Sequence, residues 1–184
     1  MAGFQTKTFT VHDDYMTPAS AWTAIKKYIP KTFICRDKFR GQVIQRPIVL
    51  WEAFYGDGAS GSHLSDMGFE VIHKAVNFYD HDLGDIVVSN PPFSDIKNIL
   101  PRLKALNKPF ILIMPSSKIC TQYFRRLFES DPNPIQIIIP RKRIQFTKLV
   151  NGVVPKDYKS CCNFDCFYYC WKINLPRDIV WLKE

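Results

Sequence analysis

A succession of short apolar runs, separated by segments whose apolar residues recur at helical spacing, limits what this chain can fold into. Ile48 to Phe54 is broken only by Glu52 and reads as a buried strand. Phe69 to His73, Asp85 to Ser89, Phe110 to Met114, Ile135 to Ile139 and Phe164 to Ile173 read as further strands, and Asn77 to Tyr79 is a candidate for one more. Helices are expected from about Ser60 to Met67, closed by Gly68, from Ser94 to Ala105 across Pro101, and from Lys118 to Phe128. Near the front, Thr17-Pro18 forms a helix start, with a capping hydroxyl and a proline in the first turn. Trp22, Ile25 and Ile29 follow at helical spacing, and Pro30 stops the helix. Such alternation predicts an α/β fold: a largely parallel sheet covered on both faces, with ligands held at the carboxyl ends of the strands.

The 184 residues suit one domain, and 46% hydrophobic with 23% charged residues exclude a disordered chain. No apolar run is long enough for a bilayer, and Met1 to Lys7 lack the apolar core of a signal peptide, so an intracellular protein is expected. A net charge of +8 points to a polyanionic partner, nucleic acid or a membrane surface. Lys31, Arg36, Lys38, Arg40 and Arg46 precede the first strong strand. Arg141, Lys142, Arg143, Lys148, Lys156 and Lys159 gather later, with Asp157 as the only acid among them. Cys35 and Cys120 stand alone, whereas Cys161, Cys162, Cys166 and Cys170 crowd together without zinc-knuckle spacing or a nearby histidine. Their aromatic surroundings read as a strand with buried free thiols, and no metal site is expected.

Two motifs fall at strand ends. Glu52-Ala53-Phe54-Tyr55-Gly56-Asp57-Gly58 places glycines where a tight turn and close approach of a ligand to the backbone are needed; Gly61 extends the glycine turn. By itself this also fits a plain strand-to-helix turn. Ser89-Asn90-Pro91-Pro92-Phe93 is more telling. Its prolines fix the backbone and donate no hydrogen bond. The Asn90 side-chain oxygen and the Pro91 carbonyl are thereby rigid acceptors. Two acceptors can hold both N–H groups of an amine and leave its lone pair free, while Phe93 can stack on the ring that bears it. The simpler alternative is a rigid turn whose Asn90 caps the helix at Ser94.

The pair resembles the glycine loop and Asn-Pro-Pro-Phe motif of amino-group methyltransferases that use S-adenosylmethionine. Asp14-Tyr15-Met16-Thr17-Pro18 is similar to the Tyr-x-Thr-Pro element that precedes the glycine loop in many DNA adenine methyltransferases. These elements, in that order, cover Asp14 to Phe93. The resemblance implies a Rossmann-like methyltransferase fold, a mostly parallel seven-stranded sheet with a C-terminal antiparallel hairpin. Within one domain, residues 14–30 would form a cofactor-closing helix, 47–140 the core, and 141–173 a basic loop and terminal strand. It further implies that Glu52, Phe54, Gly56 and Gly58 cradle the methionine part of S-adenosylmethionine. Tyr15, Thr17 and Pro18 would close over it, Tyr79 and Asp80 would meet its adenine, and Asn90, Pro91, Pro92 and Phe93 would hold the target base. Methyl transfer is then direct, with no cysteine nucleophile, and His12, His63, His73 and His81 are read as structural or exposed.

Two departures stand out. The family usually carries an acidic residue at the end of the second strand, for the cofactor ribose; His73-Lys74 stands there. No separate target-recognition segment is evident, which leaves Arg141, Lys142, Arg143 and Lys148 as the expected nucleic-acid contacts, with recognition by shape or through a protein partner. The expected activity is methylation of an exocyclic base amine, adenine N6 in DNA first. An RNA adenine or guanine enzyme, a protein glutamine methyltransferase (which usually has tyrosine in place of Phe93) and a noncatalytic nucleic-acid-binding module remain as alternatives.

Overall fold

The computed structural model describes residues 15–36, 41–148 and 164–183. His12, Asp14, Lys38, Arg40, Lys156, Lys159, Cys161 and Cys162 lie outside the described residues. In chain order the elements are β1 (Tyr15–Met16), α1 (Ala19–Ile25), β2 (Thr32–Arg36), β3 (Val43–Pro47), β4 (Val49–Glu52), α2 (Ala59–Asp66), β5 (Glu70–His73), β6 (Ile86–Ser89), α3 (Ile96–Ala105), β7 (Phe110–Pro115), α4 (Gln122–Phe128), β8 (Gln136–Ile139), β9 (Thr147–Lys148), β10 (Cys166–Trp171) and β11 (Ile179–Trp181).

The fold is mixed α/β. Its sheet has seven strands in the order β5-β4-β6-β7-β10-β8-β11. All neighbours pair in parallel except β10, which is antiparallel to both β7 and β8. Strands buried on both faces need apolar residues at every position, which explains the unbroken runs. Leu50, Val88, Ile111 and Tyr168 join Trp22, Ile25 of α1 and Leu64 of α2 in one core layer. Their neighbours Trp51, Val87, Leu112 and Tyr169 join Ile99 and Leu103 of α3 and Phe124 and Phe128 of α4 in the other. The α1 layer is tied to the sheet by the Tyr168 hydroxyl, which donates to the Ala21 carbonyl at 2.7 Å. Cys166 and Cys170 are buried in β10. Among the described residues no helix is long and apolar enough to cross a membrane.

Several expectations need correction. The seven strands are not the expected seven: 77–79 is not a strand. Phe78–Asp80 is a 3-10 turn, opened by the Asn77 side chain, which accepts from the Tyr79 amide at 3.2 Å. The place in the count is filled by β11, which extends the sheet beyond β8 and beyond the expected end at Ile173. The 118–128 helix is broken at Thr121 into a 3-10 turn (Ser116–Cys120) and α4. Gly61 lies inside α2 rather than in the turn. Pro18, not Thr17, caps α1, and the Thr17 side chain makes no cap. A hairpin of β2 and β3, unforeseen, stands between α1 and β4 with Arg46 at its base held bidentately by Asp85, both contacts at 2.7 Å.

Candidate active site

The carboxyl ends of β4, β5 and β6 bring Glu52, His73 and Ser89 together beneath the glycine turn. Glu52 is only 1% exposed. A buried carboxylate is costly unless its oxygens are satisfied; here Oε1 takes a hydrogen bond, and Oε2 has only the ion-pair contact of His73. The Ser89 hydroxyl donates to Oε1 in a short bond. His73 Nε2 stands 2.9 Å from Oε2 and 3.3 Å from the Tyr55 carbonyl. The hydrogen bond to Glu52 raises the His73 pKa above the usual imidazole value; burial opposes it only in part. The ring stacks on Tyr55, with centroids 4.5 Å apart. Room for it exists because residue 61 is glycine: a Cβ there would fall 1.9 Å from His73 Nδ1.

Above this pair the chain turns through Gly56 (φ 55°) and Gly58 (φ 89°), conformations that favour glycine. Gly58 caps α2, and having no side chain it leaves the first helix amide, Ala59, to the Asp57 carboxylate. Met16 of β1 comes down on the turn; a Cβ on Gly56 would stand 3.4 Å from the Met16 sulfur. A cleft of about 420 Å³ opens between the turn, β1 and the 76–79 segment. That size is in the range of small-molecule sites, roughly 300–1,000 Å³.

Most of the expected cofactor residues line this cleft: Tyr15, Thr17, Glu52, Phe54, Gly56 and Tyr79, joined by Asn90 and Pro92 of the second motif. Gly58 lies behind the wall, and Pro18 faces a neighbouring groove. Asp80 is not on the wall; its carboxylate accepts from the Asn77 amide at 2.7 Å. Pro91 is buried under the turn. Phe93 also stays off the wall, in an aromatic cluster stacked on Tyr15 (centroids 6.0 Å) and edge-on to Phe146 and Phe164.

Asn90 does not cap the following helix. That position belongs to Asp95. Instead the Asn90 amide nitrogen donates to the Tyr15 carbonyl at 2.9 Å. A carbonyl can only accept, so this contact fixes which end of the amide faces it. Asn90 Oδ1 is thereby turned elsewhere, buried and without a hydrogen-bond partner. The Thr17 hydroxyl, in a residue 4% exposed, is likewise buried and unpartnered. Most buried polar atoms have partners; with Glu52 Oε2, which makes only an ion-pair contact, three such atoms belong to this wall, and a bound ligand would complete their bonding.

Three polar residues on the wall escaped the sequence reading: Ser60, Asn77 and Asp95. The Tyr79 hydroxyl donates to Asp95 in a short bond; burial, and then this carboxylate, push the Tyr79 pKa up. Asp95 follows the Pro-Pro-Phe motif by two residues, at a helix start, which was the one available signal. Asp57 sits inside the glycine turn and caps Ala59 at 3.0 Å. Glu52, Asp57 and Asp95 make the wall acidic, and Phe54 and Tyr79 add flat aromatic faces. The fit to S-adenosylmethionine, a cation with a planar base, is therefore good in charge and shape.

The expected nucleic-acid contacts are not on the cleft wall. Arg141 donates to the Lys183 carbonyl at 2.9 Å and Arg143 pairs with Asp165 at 2.8 Å, while Lys142 is exposed. Lys148 is in β9, whose backbone pairs with Tyr15 of β1, so the basic segment holds the strand that covers the cleft. No protein family, curated protein or solved structure matches this chain.

Proposed function

We propose that this protein is an S-adenosylmethionine-dependent methyltransferase of Rossmann-like fold that methylates an exocyclic amine of a nucleic-acid base, adenine N6 in DNA first. The observation that carries the reading is the orphaned Asn90 Oδ1, on an amide held by the Tyr15 carbonyl and without a hydrogen-bond partner among the described residues. An acceptor held so rigidly suits an N–H whose nitrogen must react, because orientation costs nothing further once the base is in place. Bound S-adenosylmethionine supplies a methyl group activated by its sulfonium charge. Glu52, Asp57 and Asp95 would hold a cationic ligand, Phe54 and Tyr79 would sandwich or flank its base, and Thr17 Oγ1 and Asn77 would meet its hydroxyls. Asn90 and the Pro91 carbonyl would orient the target amine and stabilise positive charge that grows on it. In a duplex the target base must leave the stack to reach them.

One observation favours a second reading, a noncatalytic methyltransferase-like module. Glu52 already accepts from Ser89 on one oxygen and is ion-paired with His73 through the other, so this carboxylate offers a ligand less than an open one would. Transfer of labelled methyl to single-stranded DNA, duplex DNA and structured RNA, with mass spectrometry of the nucleosides, decides between them. The expected product is N6-methyladenine in DNA; the same product in RNA moves the polymer and keeps the chemistry. Absence of transfer together with absence of cofactor binding by calorimetry refutes the enzyme and leaves the module.

A further inference from the structure

The outer side of α1 carries two recesses that no part of the proposed chemistry uses. The first, about 500 Å³, lies between α1 and residues 140–145, with Ser20 and Ala24 on the helix side and Arg141, Lys142 and Arg143 on the other. The second, about 730 Å³ and more open, continues along the same helix past Lys26 and Lys27 to Lys31. Ser20 and Ala24 line both, so the two form one groove. At one end Pro18 lines the groove, and Thr17, the residue before it in the chain, lines the cleft. Counting α1 and the 3-10 turn Lys26–Tyr28 that extends it, the path runs about 16 Å.

The charge along this path is one-sided. Lys26, Lys27 and Lys31 line one part and Arg141, Lys142 and Arg143 the other, with no Asp or Glu among the lining residues. Among the described residues, Asp165 pairs with Arg143. Small side chains on the helix, Ser20 and Ala24, let a chain lie close to it. We infer that the groove along α1 holds the phosphodiester backbone of a single nucleic-acid strand and leads it to the cleft. This rests on the nucleic-acid reading of the cleft. The backbone supplies affinity without sequence information, which is how phosphate contacts act in general.

The test uses the triple variant Lys26→Gln/Lys27→Gln/Lys31→Gln. All three side chains are exposed, on the part of the groove farthest from the cleft, and none belongs to the proposed catalytic or cofactor set. Binding of labelled single-stranded DNA and RNA is measured across a salt series, with cofactor binding by calorimetry beside it. Each lost phosphate contact to a single strand removes about 0.7 from the slope of log K against log salt. The variant should therefore bind more weakly, with a slope shallower by about 2, and bind cofactor as the wild type does. Lysine-to-arginine replacement at the same three positions should restore the slope. An unchanged affinity and slope in a variant whose parent binds and methylates nucleic acid overturns the groove and leaves the cleft reading intact. A parent that binds anionic phospholipid vesicles but neither DNA nor RNA overturns both. A salt slope lost as expected, in a protein that transfers no methyl group, supports the groove and refutes the methyltransferase.

Discussion

Asn90→Ala separates a functional from a structural reading of the Asn-Pro-Pro-Phe motif. The substitution removes one hydrogen bond, from the amide nitrogen to the Tyr15 carbonyl. A bond of this kind contributes about 1 kcal/mol to stability. The same substitution also deletes Oδ1, a buried acceptor without a partner, and an unsatisfied buried polar group costs about 1–3 kcal/mol. The two effects oppose each other. The folded protein should therefore change by no more than about 2 kcal/mol in either direction, which for a domain of this size is a shift of a few degrees in Tm. Turnover should fall far more. Loss of one preorganised hydrogen-bonding group in an active site typically lowers kcat by about 100- to 1,000-fold. Cofactor affinity should stay near that of the wild type, because Asn90 is assigned to the target amine. The assay pairs thermal unfolding and calorimetry with single-turnover methyl transfer. Turnover retained to within a few-fold would refute the role given to Oδ1. Destabilisation beyond about 3 kcal/mol would show instead that Asn90 holds β1 in place and that its unpartnered oxygen is incidental.

Two further outcomes follow from the Glu52–His73 pair. The folded His73 pKa is raised by Glu52 above its ordinary value of 6.5. The pair's stabilisation is then fully present below 6.5 and lost as pH rises through the higher folded value. Stability measured by urea unfolding should decline across that window in the wild type and not in His73→Gln; parallel pH profiles would show that the pair contributes nothing. Gly61→Ala should cost about 1–3 kcal/mol by overpacking against the imidazole. In a His73→Ala background most of that cost should vanish, a non-additivity that a double-mutant cycle reads directly, and full additivity would place the clash elsewhere.

The central strands were legible because both of their faces are buried. Leu50 and Trp51, Val87 and Val88, and Ile111 and Leu112 point alternately into two core layers, so apolar character is demanded at every position. Where that demand lapses, pattern fails. In β2 burial alternates, with Phe33 and Cys35 half-buried, but the outward Ile34 is as apolar as they are, and β3 is exposed throughout with Val43 and Ile44 on it, so residue type does not mark the two faces. The 77–79 segment erred the other way. Its Phe78 is buried against Trp51 and Phe54, as a strand residue would be, yet Asn77 closes a turn on the Tyr79 amide and takes the backbone out of the sheet.

The site was legible in its motifs and illegible in its pairings, and His73 shows why. By position it fills the place where an acidic residue was expected for the cofactor ribose, and from sequence it reads only as a missing ligand. In the sheet, register sets Glu52 beside His73 across β4 and β5, residues 21 apart in the chain. An acidic residue at 73 would set two carboxylates side by side under the turn, one of them almost fully buried, and like charges so placed disfavour ionisation of both. Histidine removes that conflict and balances Glu52. In the proposed enzyme the hydroxyl-binding duty would then pass to other polar groups on the wall: the Thr17 hydroxyl, Asn77, and Asp57, whose carboxylate also accepts from the Ala59 amide. Asp57→Asn should consequently weaken cofactor binding more than His73→Gln does. The reverse order by calorimetry would return the ribose to His73 and make its bond to Glu52 a feature of the ligand-free protein alone.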